Sequence, residues 1–192
     1  MSEPAVPRIP RYITKPPIKR ILKKAGIVRI ARDVDKEIYD IVVEYTQKIL
    51  FTTLVFTDHA PRKTIQLADL LAGLRKNNQN VVVDFKKPTK SRPAGSTGSS
   101  SSADDSVRTQ KRPLFPGQEI TFNNFKDLCK SLVKEKGQEY RFAAWVFAYL
   151  QYAAESYTYE LAILAKKCAF HANQRKTIRA ADFRLARELR GW

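Results

Sequence analysis

Cys168 and His171 stand three positions apart, a spacing that puts a thiol and an imidazole on one face of a helix, as in a metal-binding pair. A closed zinc site takes four such ligands, and the chain has only Cys129, Cys168, His59 and His171 to offer. Packing is therefore the reading for both residues, and neither a metal, a cofactor nor a disulfide framework is expected. The other arrangements that do chemistry are missing as well. There is no Gly-rich phosphate loop, no nucleophile elbow and no carboxylate pair set apart from charged helix faces, so no enzyme is expected. What remains is cation chemistry. Arg29, Arg62-Lys63, Arg141 and Arg175-Lys176 fall between apolar-periodic stretches, and guanidinium and ammonium groups presented by loops are suited to phosphate oxygens.

The whole chain leans the same way. Its 192 residues carry 35 Lys and Arg against 19 Asp and Glu, a net charge of +16, which makes a polyanion the first partner to consider, nucleic acid ahead of an anionic membrane. Basic groups outnumber acidic ones 15 to 9 before residue 86, 7 to 2 from Lys86 to Arg112, and 13 to 8 beyond it. The middle stretch holds Pro88, Pro93, Gly95, Gly98 and the run Ser99 to Ser102 with hardly an apolar side chain, the composition of a flexible linker. The expected organisation is a short tail over 1–12, a compact unit over 13–85, a basic linker over 86–118 and a second unit over 119–192. With no run of 18 apolar residues and no secretory-signal pattern, a soluble intracellular protein with no membrane partner is expected. Units of this size are marginal alone, and each is the natural support of the other.

The elements that must hold the basic loops follow from punctuation. In the first unit Thr14 is placed as the cap of a short helix that takes Pro16 and Pro17 in its opening turn, buries Ile18, Ile21 and Leu22, and ends at Gly26. From about Asp33 to Ala60 there is neither Gly nor Pro, and Val34, Ile38, Ile41, Val42, Tyr45, Ile49 and Leu54 recur at helical spacing. Pro61 stops this long helix, and Thr64 is read as the cap of a short one through Leu74. The second unit repeats the order: a helix capped by Thr121 or Asn123 and ending at Gly137, a long helix from Phe142 to about Ala172, then a last helix capped by Thr177, with Ile178, Phe183, Leu185 and Leu189 on one side. A long helix with apolar groups on more than one face and only short neighbours needs an interlocking partner of like shape.

Residues carry a resemblance beyond this pattern. The run from Ile13-Thr14-Lys15-Pro16-Pro17-Ile18-Lys19-Arg20 through Thr57-Asp58-His59-Ala60-Pro61-Arg62-Lys63-Thr64 to Asp69 resembles histone four. Phe125 to Phe142, Cys168-Ala169-Phe170-His171-Ala172, Thr177-Ile178 and Asp182 to Gly191 resemble histone three, with one extra residue before Thr177. The fusion is similar to the histone doublets of giant viruses of the marseillevirus kind. The resemblance implies an all-α fold of two tandem histone folds in an intramolecular handshake. It also implies wrapping of double-stranded DNA without sequence preference, as the central tetramer-like part of a nucleosome-like particle in a virion and an infected host cell, nucleus or viral factory.

By the same resemblance, Arg29 lies beside the Gln174-Arg175-Lys176 loop and Arg141 beside Arg62 and Lys63, each group making one DNA site with Thr177 or Thr64. A third site is implied at the first-helix starts, Thr14, Lys15 and Pro16 with Lys19 and Arg20, and near Thr121. Cys168, His171, Asp182 and Arg187 match the four-helix bundle joining two copies, with His171 facing the other copy's Asp182. Val81, Val82 and Val83 match a strand that docks onto a second doublet of the histone-two-A and histone-two-B types. His59 matches a structural helix-end histidine. The chain also departs from the pattern. It has no lysine cluster before Ile13, Pro113 and Pro116 stand where histone three has an extra helix, and Pro61 and Asp127 remove positive potential. The competing expectation is a histone-fold assembly factor of a transcription or centromere-type complex with little DNA wrapping.

Overall fold

The computed structural model describes residues 12–77, 118–135, 137, 139–143, 145–172 and 174–191. The expected tail up to residue 11, most of the linker and Val81, Val82 and Val83 lie outside the described residues. Within them the chain forms α1 (Lys15–Lys24), β1 (Arg29–Ile30), α2 (Val34–His59), β2 (Thr64–Ile65) and α3 (Leu67–Lys76), then α4 (Phe122–Lys134), β3 (Arg141–Phe142), α5 (Val146–His171), β4 (Thr177–Ile178) and α6 (Ala180–Arg190). Both units are short, long, short, and both long helices have 26 residues, about 39 Å of rise each.

The two units interlock through the middle of those helices. Tyr45 of α2 and Tyr157 of α5, each eleven positions after its helix start, stack with ring centroids 4.4 Å apart. Around them one continuous core takes Ile38, Ile49 and Leu50 from the first unit and Phe125, Leu150, Leu161 and Phe183 from the second. Neither unit keeps a core to itself, which is why neither long helix needs a polar outer face.

The loops interlock too. β1 pairs in parallel with β4, with Arg29 opposite Thr177, and β2 pairs with β3, with Thr64 opposite Arg141. Next to these ladders Ala31 N–H donates to Ile178 C=O at 2.9 Å, and Arg141 N–H to Lys63 C=O at 2.8 Å. The first loop of each unit is thereby bonded to the second loop of the other. Gly26 and Gly137, at matching places before β1 and β3, both have φ of 73°, a left-handed conformation that favours glycine. At Gly26 a side chain would also meet Lys166 Nζ at 2.8 Å.

Four local expectations are corrected. Thr64 and Thr177 are strand residues rather than caps. The helices they were expected to start begin after Gln66 and Arg179, whose amides donate to the carboxylates of Asp69 and Asp182 at 2.9 and 2.8 Å. Phe142 lies in β3, and α5 begins only at Val146. Thr14 and Thr121 flank α1 and α4 without a side-chain capping bond. Leu185 and Leu189 do not share the buried side of Phe183: they are 45% and 65% exposed, because residues four apart form their own stripe along α6.

Candidate nucleic-acid interface

The parallel loop pairs bring together what the sequence analysis expected to meet. Arg29, Lys176 and Thr177 sit at one pair, Lys63, Thr64 and Arg141 at the other, all exposed except the half-buried Thr64. Among the described residues no ion pair holds Arg29, Lys63, Arg141 or Lys176. Fixed backbone carrying unpaired cations is an arrangement that can track a phosphate backbone.

Arg62 and Arg175 are engaged within the chain. Arg62 donates to Asp69 at 2.8 Å, and Arg175 donates to both oxygens of Asp182, at 2.8 and 3.3 Å, and to the carbonyl of Ala172. Each carboxylate lies seven residues beyond its arginine, and each also caps the following helix. Both arginines are half-buried, and their first task is to hold the loop to the helix. The extra residue of the second unit's loop is absorbed where Gln174 takes φ of 50° while its amide donates to Phe170 C=O at 2.8 Å.

At the expected third site the cations are not all free. Lys15 lies 3.6 Å from Asp35. Arg20 is bound by Glu119, through its carboxylate and, at 2.9 Å, its backbone carbonyl, while Lys24 lies 2.7 Å from the same carboxylate. The hydrogen bond from Lys24 leads in holding the Glu119 carboxyl below its ordinary value, burial opposes it, and Arg20 adds to it. Lys19, Thr14 and Pro16 are exposed. Just beyond, the Glu155 carboxylate accepts from the amides of Glu119 and Ile120 at 2.8 and 2.9 Å and from Gln151 at 2.9 Å. Burial still pushes that carboxyl up. The segment entering the second unit is thus tied to α5 on one side and to α1 on the other.

At the expected copy-to-copy face, Cys168 is 8% exposed and Asp182 is 4% exposed, while His171 is exposed. Asp182 is engaged inside its own chain as described, and Arg187 donates to Glu44 of α2 at 2.6 Å. Burial, with the Asp182 charge adding to it, pushes the Cys168 thiol up, which disfavours the thiolate that metal binding requires. Among the described residues no group of three or more potential metal ligands comes together.

Sequence reasoning passed over Lys166, Lys167 and Glu119. The two lysines are exposed near the end of α5 and line one groove with Arg29 and Lys176. Their signal was a basic pair in the last turns of a long helix, close to a basic loop. Glu119 carried no such signal, because its partners lie 99 and 95 positions away in the chain.

Two family models match this architecture. The one described as histone-like transcription factor (CBF/NF-Y) and archaeal histone matches residues 12–74, and the core histone domain, a family that takes in histones two-A, two-B, three and four, matches residues 100–189. The chain is built of two histone-fold domains in tandem, and neither family description is that of an enzyme. Histone H4 of Encephalitozoon cuniculi (strain GB-M1) is 38% identical over 64 residues, 33% of this chain and 62% of that protein. Histone H4 of Entamoeba histolytica is 26% identical over 69 residues, 36% of this chain and 58% of that protein. The chain thus spans about three fifths of the length of the curated relatives it matches. The crystal structure of the histone from Methanopyrus kandleri shares the fold, with a TM-score of 0.61 at 18% identity over 91% of this chain and 92% of that one.

Proposed function

We propose that this chain packages double-stranded DNA without sequence preference, as a histone doublet whose second unit is of the histone-three type. One observation carries the reading: both parallel loop pairs set an exposed arginine, Arg29 or Arg141, opposite a threonine and next to an exposed lysine. Arginines so placed on core histones enter the minor groove wherever it faces the protein, reading width and potential rather than bases. The particle geometry comes from core histones in general, and this chain supplies the loop pairs.

Exposed Leu185 and Leu189 on α6 and Phe170 on α5 support pairing with a second copy through the second unit, giving the central tetramer-like part of a nucleosome-like particle. A second doublet of the histone-two-A and histone-two-B types is the proposed flanking partner, and a viral genome the proposed cargo. Micrococcal nuclease digestion of long duplex reconstituted with this chain, alone and then with such a doublet, tests the proposal. A discrete protected fragment that lengthens on adding the second doublet is expected; a smear in both cases refutes wrapping. The transcription-factor half of the first family description favours a second reading, assembly without wrapping. Arg29→Ala with Arg141→Ala should weaken duplex binding at unchanged folded content, and unchanged affinity would favour that second reading.

A further inference from the structure

At the start of α2 one carboxylate is left poorly matched. The Asp35 side chain is only 13% exposed, yet its ion-pair partner, Lys15 Nζ, stands 3.6 Å from Oδ2 on a side chain that is 64% exposed, beyond hydrogen-bond length. The other oxygen, Oδ1, is buried without a hydrogen-bond partner among the described residues. A charge so desolvated is costly unless a donor completes it. Asp35 lines a cavity of about 480 Å³ whose other walls include Ile13, Pro16, Ile18 and Tyr39. The second unit has no such place, since the α5 counterpart of Asp35 is Phe147, which is packed in the core. Phosphate does not account for the cavity either, because a carboxylate repels it.

We propose that this cavity seats the chain's own residues 1–11, with the guanidinium of Arg11 on Asp35 Oδ1 and the arginine stem along the apolar walls. Position and charge choose the occupant. Arg11 stands two residues before Ile13, which lines the cavity, and so lies within about 7 Å of chain from it. Residues 1–11 carry Arg8 and Arg11 against Glu3. Proline at positions 4, 7 and 10 disfavours helix at the residue before each, which suits a segment laid along a surface. A second copy offers the same arginine, but only the chain's own segment is tethered beside the cavity, at an effective concentration of about millimolar. Once Arg11 holds Asp35, Lys15 is released toward the expected phosphate site at the start of α1. That release rests on the DNA-binding reading; the docking does not.

Zero-length carbodiimide coupling of the full chain carrying Arg11→Lys tests the seat, since it joins an amine to a carboxylate only where the two touch. Peptide mass spectrometry should find position 11 joined to Asp35, and within one chain when isotope-labelled and unlabelled protein are mixed. Coupling of Asp35 to Lys15 alone overturns the docking, and a product joining labelled to unlabelled chains overturns the choice of occupant. Tryptic cleavage after Arg8 supplies the energetic check. Asp35→Asn keeps the shape and removes the charge, and it should speed that cleavage about tenfold, the worth of one hydrogen bond to a charged group. Arg11→Gln should do the same, and the two together no more than either alone; additive effects overturn the pairing. Duplex affinity separates the remaining cases. Lys15→Gln should weaken duplex binding in the wild-type background and leave it unchanged beside Arg11→Gln, where Asp35 again holds Lys15. An equal loss in both backgrounds overturns the release of Lys15, with the docking decided by the coupling result. A wild-type chain that couples as expected but ignores duplex loses the DNA-packaging reading and keeps the docking.

Discussion

Glu119→Gln should make this protein bind DNA more tightly and with a steeper salt dependence, although it removes a contact. In the structure Glu119 occupies two cations of α1. Arg20 and Lys24 are 53% and 45% exposed while the glutamate is 17% exposed, so the cations face solvent and the carboxylate lies beneath them. Glutamine keeps the shape and removes the charge, releasing up to two positive groups. Each additional phosphate neutralised steepens log affinity against log salt by about 0.9, so the slope should become more negative by up to about 1.8. The stability cost is small: solvent-screened pairs of this kind are worth about 0.2–1 kcal/mol each. The assay is duplex binding across a salt series, with urea unfolding as control. Lys24→Ala supplies an internal check, because it should leave the wild-type slope nearly unchanged and reduce the slope of the glutamine variant. An unchanged slope in a folded Glu119→Gln protein would show that Arg20 and Lys24 do not reach phosphate, and would remove the α1 site from the proposed track. Acidity gives the same contact a sign. The folded-state value of Glu119 is lowered, so its stabilisation is complete above the unfolded carboxyl value of about 4.3 and is lost as pH falls through the folded one. Wild type and Glu119→Gln should therefore converge in stability on acidification.

Other substitutions test the frame that carries the loops. Asp182→Ala strands Arg175 and uncaps α6 at once, and should cost about 3 kcal/mol in urea unfolding; a loss under about 1 kcal/mol would mean the clamp is dispensable. Gly73→Ala sets a methyl 2.7 Å from Thr53 Oγ1, and overpacking of about 1–3 kcal/mol should outweigh the gain in helix propensity of about 1 kcal/mol. Adding Thr53→Ala should recover part of that loss, and additive effects would count against the clash. Tyr140 donates to Asp58 at 2.6 Å and is pushed up to about 12, first by that hydrogen bond. The bond's stabilisation is complete below the ordinary tyrosine value of about 10 and is lost as pH rises through the folded one. A difference titration of tyrosinate absorbance between wild type and Asp58→Asn should show one group moving down, and superimposable curves would exclude the bond.

The alternation of short and long helices was legible because Gly26, Pro61 and Gly137 punctuate it and nothing interrupts the long stretches. The two loop starts were not. Thr64 and Thr177 have the chemistry of helix caps, but each is claimed by a strand of the other unit, a tertiary pairing that local propensity does not contain. Phe142 moved from helix to strand for the same reason. Arg62 and Arg175 looked like phosphate ligands because they are basic residues in loops. Their ion pairs were not legible, because the aspartate seven residues on in both units becomes meaningful only once the loop folds back over the helix start. On α6 the apolar residues form two stripes, and a single list of hydrophobic positions merged the buried one with the exposed one.

Pairing between unlike units is also written into the helix faces. Arg184 and Arg187 of α6 bond Glu37 and Glu44 of α2, three and ten positions after the helix start at Val34. The same places in α5 hold Tyr149 and Ser156. Two second units interlocked with each other would therefore leave both arginines without a carboxylate. Two first units would set Leu71 and Leu74, the α3 counterparts of those arginines, against Glu37 and Glu44. One partner of each ion pair is open to solvent, so together they favour the mixed pairing only weakly. That is too little to specify it alone. Covalent fusion contributes more, because it makes the pairing of the two units intramolecular, at an effective concentration of up to about millimolar. The side chains then need only choose register and orientation, a task that a Tyr45–Tyr157 contact at matched helix positions and two parallel strand pairs accomplish.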